Sequence, residues 1–130
     1  MALQAAVVAA WALLSPRSFY RDFPAIGGSW VNASPPFNEH LIRDVGGLYL
    51  GFAILFFWAG SNMDPAVVRP VLIAWLPFAV LHLWFHVTHM GGLGGGERFL
   101  QTVALAAVTL IPVLILAAQR RRRTSTFGGL

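Results

Sequence analysis

Four apolar segments, residues 2–14, 39–59, 65–90 and 97–118, take up most of this 130-residue chain. A helix needs about 20 mostly apolar residues to cross the hydrocarbon of a bilayer, and the last three segments reach that length. The first gives about 20 Å of helix at 1.5 Å per residue, short for a full span. Only 11% of the residues are charged, 57% are hydrophobic, and mean hydropathy is +0.67. A soluble domain carries about 25% charged residues, so a water-soluble globule is excluded and a single transmembrane domain is expected. The lack of cysteine excludes a disulfide framework, a thiolate metal site and a cysteine nucleophile.

Local signals set the segment boundaries. Pro35-Pro36 blocks helix, Asn38 is a good N-cap, and Glu39 in the first turn suits the helix dipole. Gly60-Ser61-Asn62 ends that helix. Asp64-Pro65 supplies a cap and a first-turn proline for the next one, with a kink expected at Pro77. The glycine-rich stretch Gly91–Gly96 cannot sustain helix at reasonable cost. The last segment opens at Glu97, kinks at Pro112, and gives way to a polar tail, residues 119–130. No positive charge precedes the first segment and no convincing small-residue cleavage site follows it, which argues against a secretory leader. Short connections between the later segments predict an all-α, four-helix up-down bundle. Membrane helices associate through close packing, and Gly47 and Gly51, with Gly46 beside them, form a small-xxx-small stripe. That stripe is expected to be an internal packing face, with a dimer contact as the alternative.

Arginine placement sets the orientation. All nine basic residues are arginine, and the run Arg120, Arg121, Arg122 and Arg123 predicts a cytoplasmic tail. Four spans then put the N-terminus and the turn carrying Arg69 in the cytoplasm, and the 15–37 loop and the glycine-rich loop outside. The expected location is the cytoplasmic (inner) membrane. The run is read as a topology anchor, with binding of anionic lipid headgroups as an added role. The other five arginines balance five carboxylates, so the basic character does not point to nucleic acid.

This topology gathers the polar residues. His40 stands one turn into the second segment. His82, His86 and His89 follow one another at four and three residues in the third, on one helix face. Glu39 and Asp44 flank His40, while Glu97 and Gln101 open the fourth segment. Ionisable groups near lipid normally face the bundle interior and find partners. Glu39 with Arg43, and His40 with Asp44, have the i,i+4 spacing of helical ion pairs, so an interfacial patch anchoring the first loop is expected. Imidazoles at i and i+4 can share a metal ion, which makes His82, His86, His89, His40 and Glu39 candidate ligands for zinc, copper or iron. Haem ligation, a proton or quinone site, and plain structural hydrogen bonding are the other readings of the histidine face.

Several patterns carry no chemistry. The glycine-rich loop lacks the lysine-serine/threonine ending of a nucleotide loop and follows no strand. Asn32-Ala33-Ser34 matches a glycosylation acceptor, but Pro35 disfavours its use. Trp11, Trp30, Trp58, Trp75 and Trp84, with Tyr20 and Tyr49, fit interface belts and packing. No nucleophile elbow is present.

The runs Ser15-Pro16-Arg17-Ser18-Phe19-Tyr20, Pro36-Phe37-Asn38-Glu39-His40-Leu41-Ile42-Arg43-Asp44-Val45-Gly46 and His82-Leu83-Trp84-Phe85-His86-Val87-Thr88-His89 resemble a group of small four-helix integral membrane proteins from actinobacteria. More loosely, Arg43 to Gly51 is similar to the DoxX-like superfamily of small bundles. The first likeness implies a fold and a cytoplasmic-membrane location, and no activity. The second implies a subunit role beside redox enzymes. The expected role is therefore that of a structural or accessory subunit of a larger membrane complex rather than an enzyme. The alternative is a metal- or haem-binding redox protein that uses the histidine face.

Overall fold

The structure is a computed structural model describing all residues except 27, 34, 35 and 128–130; the side chains of residues 122–127 also lie outside the described set. The glycosylation pattern at Ser34, the Pro35 half of the proline pair, and the side chains of Arg122 and Arg123 thus fall outside it. Five helices follow one another: α1 (Ala2–Leu14), α2 (Pro16–Asp22), α3 (Glu39–Asn62), α4 (Pro65–Thr88) and α5 (Gly95–Phe127). The expected count of four is corrected by α2, which forms inside the first loop. Pro16 occupies its first turn, where a proline loses no hydrogen bond and its fixed φ suits the helix. The tail expected to start at residue 119 is also corrected. Helix α5 continues to Phe127, because arginine is a good helix former and neither glycine nor proline interrupts residues 113–127.

Helices α3, α4 and α5 (to Arg121) are long and apolar enough to cross a membrane, and α1 is a shorter apolar helix. Their outer surfaces carry exposed Ile54, Phe57, Leu81, Trp84, Leu110 and Leu114. In water such a surface would drive aggregation; in lipid it is the solvated face, and the chain is read as a membrane protein. The start caps act as the sequence predicts, while the stop expected at Gly60-Ser61-Asn62 is corrected, since those three residues remain helical. Asn38 Oδ1 accepts from the Leu41 N–H at 3.1 Å. Met63 ends α3 in the left-handed conformation (φ 53°), and Asp64 Oδ1 accepts from the Ala66 N–H at 2.8 Å.

Packing divides the helices into two close pairs, α1 with α3 and α4 with α5; α3 and α4 meet less intimately, and α1 and α5 make no close backbone approach among the described residues. Small residues bring α1 onto α3. Ala5, Ala9 and Ala12 are buried on one side, and Gly46 and Ala53 on the other. A Cβ at Gly46 would meet Leu13 Cγ at 2.8 Å and Ala12 Cβ at 3.1 Å. The expected packing stripe at Gly47 and Gly51 is corrected, because nothing lies within 4 Å of a Cβ at either. One residue turns a helix by about 100°. The packed face therefore runs through Gly46, Tyr49, Ala53 and Phe56, and Gly47 and Gly51 fall outside it.

The α4–α5 pair is joined differently. Pro112 has no N–H to give the Val108 carbonyl one turn earlier. Trp75 Nε1 donates to that carbonyl at 3.0 Å. Thr109 Oγ1 donates to the Ala79 carbonyl at 3.3 Å in the other direction. Tyr49, Phe52, Phe56 and Phe78 surround the Trp75 rings with centroids 4.9–5.8 Å away.

The 15–37 loop folds over one end of these helices, called here the loop end. Trp11 Nε1 donates to Ser18 Oγ at 3.2 Å, and Ser18 Oγ donates to Asp22 Oδ2 at 2.9 Å. Trp11, Phe19, Phe23 and Trp30 make a chain of mostly edge-on ring contacts. Gly28 (φ 97°) lies so close to the Glu97 carboxylate that a side chain there would collide with it. Glu97 Oε2 in turn accepts from the Gly94 N–H at 2.7 Å.

The Arg21 guanidinium donates to Asp22, and with the Ser18 hydroxyl it holds the Asp22 carboxyl below its ordinary range. A depressed carboxylate stabilises the fold above its unfolded pKa, and that contribution fades as pH falls through the lower folded value. Hydrogen exchange of residues 15–37 is therefore expected to accelerate on acidification below the usual carboxylate range. Asp22→Asn should flatten this pH dependence; an unchanged profile in that variant would count against it.

Candidate functional site

Because α1 and α5 stay apart, the two helix pairs enclose a cavity of about 500 Å3. Its walls come from all four long elements and its roof from the loop. Helix α1 supplies Gln4 and Val8, α3 supplies Ile42, Val45 and Tyr49, and α5 supplies Gln101, Ala104, Leu105 and Val108. Helix α4 presents Phe78, His82 and His86, three residues spaced by one turn. Phe19, Phe23, Pro24, Trp30 and Val31 close it from above. A volume of this size suits a small organic molecule, and an apolar lining with a few convergent polar groups is the usual build of such sites.

The polar groups collect where α4 meets α5. The Phe78 and His82 rings stack at 5.1 Å with 16° between planes, and His82 meets His86 edge-on at 4.5 Å. Gln101, 2% exposed, stands beside the His86 side chain. Gln4 stands beside the Tyr49 side chain in the same way. On the roof, Trp30 Nε1 is buried and has no hydrogen-bond partner among the described residues. An indole nitrogen can only donate, and leaving such a group unsatisfied costs about 1–3 kcal/mol.

The remaining predicted residues lie elsewhere. His89 is the residue past the end of α4 (φ −125°), so helical spacing no longer keeps it on the His82–His86 face. Its ring stacks on Phe85 at 4.3 Å, and Nδ1 sits 3.0 Å from the Phe85 carbonyl and 2.9 Å from Thr88 Oγ1. His40 Nε2 lies 3.3 Å from Asp44 Oδ2, and both side chains are mostly exposed. Arg43 Nη2 lies 2.9 Å from Glu39 Oε1. The same arginine reaches across to α1 and donates from Nη1 to the Leu13 carbonyl at 2.6 Å, one of the carbonyls a helix end leaves without an intrahelical partner. Among the described residues, no three or more histidine or carboxylate side chains are grouped to hold a metal ion.

Sequence reasoning missed Trp30, Phe78 and Tyr49 as cavity residues. Phe78 was reachable, since it stands one turn before His82. Trp30 was not, because its place depends on how the loop folds. No protein-family model, curated protein or solved structure matches the chain.

Proposed function

We propose that this protein binds a small, largely apolar molecule within the membrane, in the cavity between its two helix pairs. One observation carries the reading: a chamber of about 500 Å3 with many aromatic walls has only a few polar groups, with His82, His86 and Gln101 on the α4–α5 wall and Gln4 and Tyr49 on the α1–α3 side. Native mass spectrometry of protein purified in mild detergent should show a small molecule retained one to one. Ala104→Trp, which fills the cavity from α5, should abolish that retention without lowering the melting temperature by more than a few degrees. Equal retention in the variant would refute the reading.

The loop end faces outward in this reading, and both termini lie in the cytoplasm. Arg69 Nε donates to Gln119 Oε1 at 3.1 Å, so the arginine-bearing start of α4 and the end of α5 share one side, where the Arg120–Arg123 run would retain them. Since the chain has no cysteine, single substitutions test this directly. In intact cells, Ile26→Cys should react with an impermeant maleimide and Met63→Cys should not. The reverse pattern would invert the topology.

A second reading, as an accessory subunit of a larger membrane complex, draws support from Gly47 and Gly51. Both face outward with open space around them, leaving α3 free to take a neighbouring helix at close range.

A further inference from the structure

Charge is divided unevenly between the two ends of the bundle. The loop end holds Arg17, Arg21, Arg43 and Arg98 with Asp22, Glu39, Asp44 and Glu97, four of each sign. The opposite end holds Asp64 with Arg69 and Arg120–Arg123, so the whole net charge of +4 sits there.

The loop-end arginines are all engaged by the protein. Arg21 and Arg43 pair with Asp22 and Glu39. Arg98 Nε donates to the Leu93 carbonyl at 2.9 Å, and Arg17 lies over the Phe37 ring. Arg69 is placed differently. Its Nε donates to the neutral Gln119 side chain, and its terminal nitrogens make no hydrogen bond or ion pair among the described residues. Asp64, which supplies the one carboxylate side chain at this end, uses Oδ1 to cap α4.

Depth and arrangement point to the partner. Arg120 stands 22 residues after Arg98, about 33 Å along a helix, against a hydrocarbon core of about 30 Å. With Arg98 at one surface of the bilayer, position 120 falls at the phosphate level of the other, and the bond to Gln119 holds Arg69 level with it. Because α5 stays helical to Phe127, positions 120–123 step round its axis by about 100° each, at nearly one depth. A protein or a nucleic acid would approach such a helix from one side, whereas a headgroup layer surrounds it.

We propose that this end of the α4–α5 pair binds an anionic phospholipid, its phosphate taken by the terminal nitrogens of Arg69 and its net charge balanced by the arginine positions that follow Gln119. The guanidinium fork matches phosphate oxygens two at a time, and Gln119 already holds the fork in place. The site is separate from the cavity and does not depend on which leaflet faces the cytoplasm.

The test uses the full chain in detergent micelles carrying equal amounts of phosphatidylglycerol and phosphatidylcholine with the same acyl chains, and counts retained lipids by native mass spectrometry. Each arginine near an anionic surface contributes about fivefold in binding, so phosphatidylglycerol should be retained about tenfold or more over phosphatidylcholine at low salt. The preference should collapse as ionic strength rises. Arg69→Gln should cut it about fivefold, and Arg17→Gln, at the loop end, should leave it unchanged. Glycerol phosphate, the soluble headgroup, should not displace the bound lipid at constant ionic strength; displacement would make this a site for free phosphate and overturn the lipid assignment. Equal retention of the two lipids by the native chain, a preference that survives high salt, or equal losses in Arg17→Gln and Arg69→Gln would each overturn the proposal. The lipid comparison and the salt series need only the native chain, so they decide the matter even if a variant fails to fold.

Discussion

Gly46→Leu is expected to detach α1 from α3, while Gly47→Leu, one residue along, leaves the fold intact. At Gly46 even the first side-chain atom meets Leu13 Cγ at 2.8 Å and Ala12 Cβ at 3.1 Å. A leucine adds three more carbons, and the neighbours cannot retreat, since Ala12 is fully buried. Overpacking of this kind costs about 1–3 kcal/mol and occasionally more. Separation of the helices would also cost the Arg43 bond to the Leu13 carbonyl. At Gly47 the side chain enters open space, and an exposed substitution stays within about 0.5 kcal/mol. Thermal unfolding in detergent, with exchange of the α1 amides as a local readout, separates the two. Equal stability of the pair would mean that the packed glycine has been misassigned. If Gly47→Leu leaves melting unchanged but dissociates a larger complex, the accessory-subunit reading gains direct support.

The second large effect is expected at Trp75. Trp75→Ala removes the centre of an aromatic cluster that is 1% exposed, a truncation that costs about 3–5 kcal/mol. Trp75→Phe separates the ring from its hydrogen bond. It leaves the Val108 carbonyl with no donor, a loss of about 1–3 kcal/mol. Pro112→Ala restores the backbone N–H that proline withheld, so the helix can satisfy that carbonyl itself. In the Pro112→Ala background, the penalty of Trp75→Phe should therefore shrink by about 1 kcal/mol, the coupling expected of residues that share a partner. Additive penalties would show that the indole acts by bulk alone.

How much of this was legible beforehand depends on the kind of information each residue carries. Asn38, Asp64 and Pro65 announce helix starts through chemistry local to a few residues, and the caps form where expected. Long uncharged runs announce α3, α4 and α5. The glycine stripe was misread because Gly46 and Gly47 are adjacent in sequence, and only the partner helix decides which of the two it covers. His82 and His86 share a face as their spacing predicts, but His89 needed the helix to continue one residue further than it does. The Trp75–Val108 bond was partly legible, since an internal proline always leaves a carbonyl needing a donor. Nothing local says which residue answers. Trp30 is least legible of all, because its position over the cavity follows from a loop that carries a seven-residue helix and no simple periodicity.

The placement of the proposed cavity site within the membrane has a consequence for how occupancy should be measured. A molecule that reaches the cavity from the bilayer has already left water for hydrocarbon, so the quantity that fills the site is its mole fraction in the bilayer. Two compounds with the same intrinsic fit will then differ in apparent molar affinity by the ratio of their partition coefficients. Changing the amount of lipid at fixed protein will shift the apparent constant even though no contact in the site has changed.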